Sequence, residues 1–283
     1  MKKVYSTVAI VVGLYFILWM VPGAIAPKAN ILKGDAFEVM AHRAGEGNGP
    51  SNTIEAALIA HSMGVDYIEM DVHRTSDGVF VTIHNPTIDE TTDGKGTVKD
   101  LSFEEIQKFD AGYGYESQEG GRPFVGKGIM IPALEAVFGA LPNAKYNLEI
   151  KPDDSSFSAP FCTLLRKYGM ENQVLVGSFN EEPLIAFRKA CPEIPTSLYI
   201  AEIKQFVYLE KLGLSNLASF NGAALQVPIE NDGITIVTPS FIKAAHDRGL
   251  EVHVWTVNDT ETIKWLHDIG ADGVITDYPD RAM

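Results

Sequence analysis

Residues 64–86 read GVDYIEMDVHRTSDGVFVTIHNP, and this stretch decides the fold because its strand and hairpin signals carry charged side chains. Within it, residues 66–72 form a strand-like run, in which side chains two positions apart point to the same face. Glu69 and Asp71 therefore project into one site. Two carboxylates on one face repel each other unless a cation or a proton lies between them, so the pair indicates a divalent metal.

A hairpin signal, Asp77-Gly78, follows this strand. It predicts that the apolar run 79–83 pairs back onto the strand without a crossover helix. The returning strand then ends at His84, which is placed beside the two carboxylates.

A second strand-like run, KYNLEIKP at residues 145–152, carries Glu149 and Lys151 on one face. His42-Arg43, at the end of the first predicted strand, adds another histidine and another cation. A phosphodiesterase uses this set of groups, namely acid/base residues, carboxylate metal ligands and fixed cations. Exposed strand residues would explain either carboxylate motif alone, but they explain both motifs and two histidines poorly.

Short apolar runs alternate with amphipathic stretches from Phe37 onward, which is the pattern of βα units on a parallel sheet. We predict strands at 37–41, 66–72, 79–83, 145–150, 173–178, 195–200, 223–227, 251–256 and 273–276. We predict helices at 52–63, 132–139, 157–168, 181–190, 202–212, 239–248 and 259–268. One strand belongs to the hairpin, so eight staves remain, and the predicted fold class is α/β, a (β/α)8 TIM barrel.

Polar residues fall repeatedly at the carboxyl ends of these predicted strands, where barrel enzymes convert their substrates. Besides the residues above, they include Gln226, Trp255 and Asp277. Residues 85–131 have little core pattern and are rich in Gly, Asp and Tyr. We predict a small insertion here after the second stave, which either shapes a pocket over the barrel mouth or is a solvated loop.

The composition predicts one domain that does not bind nucleic acid. A chain of 283 residues with 46% hydrophobic content can bury one large core. Its formal charge of −14 argues against a nucleic-acid partner, because binding a phosphate backbone needs a basic face. A metal and a few fixed cations can still bind a phosphate group locally.

The amino terminus differs in kind from the rest of the chain. Lys2 and Lys3 precede an apolar run at residues 4–21. A run of about 20 such residues can span a bilayer, and positive charge at its amino end predicts that this end stays in the cytoplasm. We therefore predict a transmembrane helix with the barrel on the extracytoplasmic side.

An alternative is a cleaved signal helix, since residues 24–26 fit a signal-peptidase site. The protein would then be secreted or periplasmic. The length of the run and its bulky residues favour the uncleaved anchor over the signal helix. No polar face breaks the run, which argues against a buried first helix of the globular domain. In either case the anchor or signal segment is residues 1–30, and the barrel domain is residues 36–283.

Cys162 lies in the predicted helix 157–168, and Cys191 directly follows the predicted helix 181–190. A disulfide between them is possible in an exported protein, but no framework of cysteines indicates one. Two small buried thiols that pack like apolar side chains are the favoured interpretation.

The chain resembles the glycerophosphodiester phosphodiesterase family over most of its length after the leader. The resemblance rests on AHRAGEGNGPSNTIEAA at 41–57, on the opening stretch at 64–86, and on NLEIKP, VWTVND and GADGVITDYP further along. Ala44, Ser51 and Asn85 depart from the family pattern. They leave the candidate metal and acid/base positions intact, so they bear on substrate preference more than on activity.

The resemblance implies roles for individual residues. Glu69, Asp71 and Glu149 match the family's metal ligands, and their oxygen atoms suit Ca²⁺ or Mg²⁺. His42 and His84 would form the acid/base pair, without a sign of which is which. Arg43 and Lys151 would bind the substrate phosphate. Trp255 and Gln226 are weaker candidates for the substrate pocket, and Asn52 resembles a position near the phosphate, although capping of the first helix explains it equally well.

The resemblance also implies an activity, the hydrolysis of glycerophosphodiesters to an alcohol and glycerol 3-phosphate, and with it a role in lipid metabolism. Lysophospholipids are a further substrate class, because an anchor would hold the barrel near lipid. Two alternatives are a phosphoinositide-type phospholipase C and a catalytically silent, membrane-tethered binding protein. Intact Glu149-x-Lys151 and Trp255-Thr256-Val257 motifs favour the diesterase over the phospholipase C.

Overall fold

The computed structural model describes residues 2–32 and 36–283. Met1 and residues 33–35 lie outside the described residues. The helices within them are α1 Lys2–Trp19, α2 Ile54–Met63, α3 Phe103–Ile106, α4 Leu134–Ala140, α5 Ser158–Lys167, α6 Glu181–Ala190, α7 Ile200–Lys211, α8 Pro239–His246 and α9 Thr260–Asp268. The strands are β1 Glu38–Ala41, β2 Tyr67–Arg74, β3 Phe80–Thr82, β4 Lys145–Ile150, β5 Val174–Gly177, β6 Ala224–Val227, β7 Glu230–Asn231, β8 Ile234–Thr235, β9 Glu251–Val254 and β10 Gly273–Thr276.

Parallel strands form a ring in this fold. Their order is β5-β4-β2-β1-β10-β9-β6, and β3 pairs antiparallel with β2, as the hairpin signal predicted. A short segment joins the two outer strands, because Thr196 bridges to Val176 and Ser197 bridges to Ala224, both in parallel. The N–H of Ser197 donates to the Val176 carbonyl at 3.0 Å. The sheet therefore curls into an α/β, TIM-barrel-like fold.

The joining segment is where the prediction of a regular strand at 195–200 was wrong. Only isolated bridges form there, because Pro195 has no N–H to donate and α7 already begins at Ile200. Every other predicted strand and helix of the barrel overlaps an observed one. The short helix α3 and the β7–β8 hairpin were not predicted.

Alternate side chains of β2 point to opposite faces of the sheet, one toward the core and one toward the cavity. Ile68, Met70 and Val72 are buried in the apolar layer between the sheet and its helices. Glu69 and Asp71 alternate with them and line the cavity at the carboxyl ends of the staves. Pleating of this one strand therefore directs apolar side chains outward and carboxylates inward.

The segment 85–131 has a small apolar core of its own. Ile88, Val98, Ile106 and Ile129 pack there with Val81 of the hairpin strand. The prediction of little core pattern therefore missed this cluster, since its apolar residues are spread too widely to show a period. Within the described residues the segment contributes nothing to the lining of the cavity that Glu69 and Asp71 line.

The amino-terminal segment leads to one correction. Among residues 2–32 and 36–283, no helix is long and apolar enough to cross a membrane. The predicted transmembrane helix corresponds to α1, which has 18 residues and opens on two lysines. The side chains of Lys2 and Lys3, from which the orientation was predicted, lie outside the described part.

The segment that follows α1 covers the amino end of the barrel. Ile31 is 4% exposed and packs with Met40, Tyr67 and Ile275. Its carbonyl accepts hydrogen bonds from the Tyr67 hydroxyl at 2.7 Å and from Lys145 Nζ at 2.5 Å. Residue 31 therefore contributes both apolar packing and a buried acceptor to the barrel floor.

A chain that begins at Asn30 should consequently be more stable than one that begins at Ala36. Loss of Ile31 removes a buried side chain and the acceptor of one buried and one half-buried donor, so we expect the free energy of unfolding to fall by about 2–4 kcal/mol. Urea unfolding of the two truncated chains measures the difference. Equal unfolding midpoints would show that the segment is not part of the barrel floor.

The two cysteines form a disulfide, contrary to the favoured interpretation of two buried thiols. Cys162 of α5 and Cys191, directly after α6, are joined with a Cα–Cα distance of 5.8 Å. The sequence could not show this, because packing of α5 against α6 brings together positions 29 residues apart.

Candidate active site

Three carboxylates converge at the carboxyl ends of β2 and β4. The register of these strands places Asp71 opposite Glu149, and Glu69 opposite Asn147. One oxygen from each of Glu69, Asp71 and Glu149 lies within 4.8 Å of the others. The strand period and the strand register therefore gather three oxygen ligands in one place.

Burial and the charges of neighbouring groups shift the pKa values of all three carboxylates. Burial and the charge of Asp71 raise the pKa of Glu69 to about 8. The same two causes raise the pKa of Glu149 to about 7. Burial also works against ionisation of Asp71, but the charges of Lys151 and His84 lower its pKa. An all-oxygen group of this kind fits a hard divalent cation, which would compensate the charge.

Two cations border the carboxylates. Lys151 Nζ lies 3.4 Å from Asp71 Oδ1 and 3.2 Å from Glu149 Oε1. The guanidinium of Arg43 donates to Glu46 Oε2 at 3.1 Å, and its Nε has no hydrogen-bond partner in the described part of the chain. Both cations therefore sit where a phosphate would meet the carboxylates.

Arg43 is also held by its backbone. It lies in a short turn after β1 with φ of 50°, a conformation that few residues other than glycine adopt. Its N–H donates to Glu69 Oε2 at 2.6 Å. The turn thus places the guanidinium and one carboxylate on the same side of the cavity.

The two histidines have pKa values that are displaced in opposite directions. Burial alone would lower the pKa of His42, but its hydrogen bond to Asp277 and the charges of Glu69 and Asp277 raise it to about 9. Burial lowers the pKa of His84, and the charge of Lys151 adds to this effect. In the metal-free site these shifts favour the protonated form of His42 and the neutral form of His84 near neutral pH.

Asp277 is a residue whose role the sequence did not reveal. Its Oδ1 lies 2.6 Å from His42 Nδ1, and its Oδ2 accepts a hydrogen bond from Asn258 Nδ2 at 2.6 Å. The aspartate fixes the His42 ring and stabilises its charge. The sequence indicated only that Asp277 follows the last predicted strand, at the end of the barrel where site residues are expected.

Replacement of Asp277 by Asn should lower the pKa of His42 in the metal-free protein. An opposite charge at this distance typically changes a pKa by about 1–3 units, so we expect a fall of that size. An NMR titration of the imidazole C–H resonances measures it. Asp259→Asn, at the exposed amino-terminal cap of α9, is the control. An unchanged His42 pKa in Asp277→Asn would mean that Glu69 alone holds the proton.

Asn52 is a second residue that the sequence left undecided. It does not cap the first barrel helix, since the side chain of Thr53 does so. Asn52 instead donates from Nδ2 to Asp71 Oδ2 at 2.9 Å and accepts the Asp71 N–H at Oδ1, also at 2.9 Å. Capping is therefore the wrong explanation, and Asn52 orients a candidate metal ligand.

All nine predicted site residues line one cavity of about 150 Å³, namely His42, Arg43, Glu69, Asp71, His84, Glu149, Lys151, Gln226 and Trp255. Phe179, which was not predicted, makes an edge-to-face contact with Trp255 in its wall, with the ring centroids 5.5 Å apart. No histidine other than His42 and His84 belongs to the described lining of this cavity.

A TIM-barrel-like fold with carboxylates, two histidines and two cations at the carboxyl ends of its staves defines a phosphoric diester hydrolase. Residues 42–281 match the model of the Glycerophosphoryl diester phosphodiesterase family, and the chain belongs to this family. It is 30% identical over 293 residues to the glycerophosphodiester phosphodiesterase of Bacillus subtilis, covering 99% of this chain and 97% of that one.

Two further comparisons extend the likeness. The chain is 26% identical over 267 residues to a human lysophospholipase D, covering 86% of this chain and 83% of the relative. The crystal structure of glycerophosphodiester phosphodiesterase from Agrobacterium tumefaciens superposes with a TM-score of 0.69 at 26% identity, covering 87% of this chain and 98% of that one. Fold, site and family agree that the chain is a glycerophosphodiester phosphodiesterase.

Proposed function

We propose that this enzyme hydrolyses glycerophosphodiesters to an alcohol and glycerol 3-phosphate with the help of a divalent cation, Ca²⁺ or Mg²⁺. The observation that carries the proposal is the cavity itself, which joins three carboxylates, two histidines and two cations. Glu69, Asp71 and Glu149 would hold the cation. When bound, it would withdraw electron density from a phosphate oxygen and favour attack at phosphorus.

His84 and His42 would then divide the proton transfers. His84, neutral at pH 7, accepts the proton of the nucleophile, which is a water or the neighbouring glycerol hydroxyl. Attack by the hydroxyl forms a cyclic phosphate, which a water then opens in a second step to give glycerol 3-phosphate. His42, protonated at pH 7, donates a proton to the leaving alcohol. The support is the opposite direction of their pKa values, since a base must be unprotonated and an acid protonated before the reaction.

Arg43 and Lys151 would stabilise the negative charge on the phosphate oxygens. They are rigidly placed, Arg43 by its turn and Lys151 by its contacts with two carboxylates. Fixed cations of this kind stabilise the transition state without reorganising during the reaction. Trp255 and Gln226 would line the side of the cavity next to the glycerol.

A product assay tests the activity directly. Glycerophosphocholine and lysophosphatidylcholine are incubated with the enzyme, with and without a chelator, and the products are identified by mass spectrometry. We expect free choline and glycerol 3-phosphate, or its acylated form, in the absence of chelator. Release of phosphocholine would indicate a phospholipase C, and no product from any diester would indicate a silent binding protein.

We also propose that the barrel works on the extracytoplasmic side of the membrane. The disulfide between Cys162 and Cys191 supports this location, because such bonds persist in oxidising compartments. Cell fractionation combined with alkylation of free thiols tests it. A reduced cysteine pair in a cytoplasmic protein would exclude it, and a mature amino terminus at Pro27 would identify a cleaved signal helix.

A further inference from the structure

An apolar groove lies beside the catalytic cavity at the barrel mouth. It has a volume of about 340 Å³, and its walls come from α7 and from the β7–β8 hairpin. The apolar side chains that line it include Phe179, Ile200, Val207, Tyr208, Ile234 and Ile236. None of the residue roles predicted from the sequence accounts for this groove.

The groove continues from the catalytic cavity. Phe179, Ile203, Gln226 and Trp255 line both spaces. A substrate whose phosphate lies at the carboxylates can therefore extend into the groove past these four side chains. The groove is thus positioned to bind a part of the substrate, not a separate ligand.

Large apolar side chains are exposed in this groove. Phe179 is 38% exposed, Ile200 40%, Tyr208 56% and Ile234 39%. Four such side chains around one groove form an apolar patch, and patches of this kind mark binding sites on soluble domains. The charged residues that line the groove, Lys204 and Asp232, lie among apolar ones.

Two hydrogen-bond donors stand where the cavity meets the groove. Trp255 Nε1 and Gln226 Nε2 are buried, and neither has a hydrogen-bond partner within residues 2–32 and 36–283. A buried donor without an acceptor is unfavourable, so a ligand oxygen at this point would be stabilising. Two donors at the start of an apolar groove match an ester group followed by a hydrocarbon chain.

We propose that the groove binds the single acyl chain of a lysoglycerophospholipid, with Trp255 and Gln226 donating to the ester oxygens. The inference rests on the proposed function, since it requires that the phosphodiester occupies the catalytic cavity. It deepens that function by making a monoacyl lipid a better substrate than a water-soluble diester. One groove beside the cavity accommodates one chain.

Binding of the acylated products tests the groove independently of turnover. Glycerol 3-phosphate and its hexanoyl, octanoyl and decanoyl esters are titrated by calorimetry below the concentrations at which they form micelles. Each buried methylene contributes about 0.8 kcal/mol, so we expect the Kd to fall by up to about fourfold per methylene. Equal Kd values for glycerol 3-phosphate and its esters would overturn the proposal.

Charged substitutions in the groove test where the acyl chain binds. Ile200→Glu and Ile234→Glu place a carboxylate in the groove at partly exposed positions, and Tyr208→Ser is a milder third change. Ile185→Glu, at a 47% exposed position on α6, is the matched control. We expect the ratio of Kd values between glycerol 3-phosphate and its decanoyl ester to fall at least about tenfold in both Glu variants, since several methylenes lose their apolar contacts. The control should keep the wild-type ratio.

The same variants are assayed for hydrolysis of glycerophosphocholine and of decanoyl lysophosphatidylcholine. The ratio of the two kcat/KM values should fall in the groove variants and stay unchanged in Ile185→Glu. If affinity still increased with acyl-chain length in all three groove variants, the acyl chain would bind elsewhere. Absence of hydrolysis of every diester, with the binding gain intact, would reject the proposed function and leave the groove assignment standing.

Discussion

His42→Ala and His84→Ala should each lower the turnover number by about 10²–10⁴-fold, the usual contribution of a positioned acid or base. Each loss removes one proton transfer, because no other described histidine lines the catalytic cavity. Metal affinity should change little, since the candidate ligands are carboxylates on β2 and β4. Steady-state kinetics on glycerophosphocholine and calorimetric titration with Ca²⁺ measure the two effects separately.

His61→Ala, at an exposed position of α2, is the matched control for both variants. It should keep the wild-type turnover number. If His42→Ala or His84→Ala also kept it, that histidine would be structural. A loss of Ca²⁺ binding in either variant would instead identify the histidine as a metal ligand.

The second large effect should come from the carboxylates. Glu69→Gln, Asp71→Asn and Glu149→Gln each remove one charge from the group that would hold the cation. Mutation of a residue that hydrogen-bonds to a metal ligand typically lowers metal affinity by about 10–100-fold. We expect a larger fall when a ligand itself is replaced, and we expect activity to fall with metal affinity. Excess metal should restore part of the activity. Calcium titration and kinetics at increasing metal concentration measure both effects.

Glu104→Gln, at an exposed position of α3, is the control and should behave as the wild type. Chelation should abolish wild-type activity, and added Ca²⁺ or Mg²⁺ should restore it. Full turnover after verified removal of the metal would reject the metal assignment. Inactive variants with unchanged metal affinity would give the carboxylates a different role.

Local patterns were sufficient for much of the site. The two-residue period in β2 and β4 predicted that Glu69 and Asp71 share one face and that Glu149 and Lys151 share another. The Asp77-Gly78 turn predicted the hairpin, which returns the chain to His84. These features depend on neighbours in the chain, so a single sequence shows them.

Contacts between distant segments could not be derived in this way. Asp277 and His42 are 235 residues apart, and they meet because β10 pairs with β1 when the barrel closes. The disulfide depends on how α5 packs against α6. Asn52 was left undecided for the same reason, since its partner Asp71 lies on β2, 19 residues further along the chain.

The sequence by itself determined the α/β architecture, the family and the residues of the catalytic cavity, because periodicity, turns and motifs are local properties of the chain. Only the tertiary structure decided how the carboxylates are placed against one another, that Asp277 pairs with His42, and where an apolar groove opens. Strand register and barrel closure bring Asp71 to Glu149 and His42 to Asp277, and burial of these groups then shifts their pKa values. The groove likewise exists only because α7 and the β7–β8 hairpin, separate in the chain, pack on either side of one cavity.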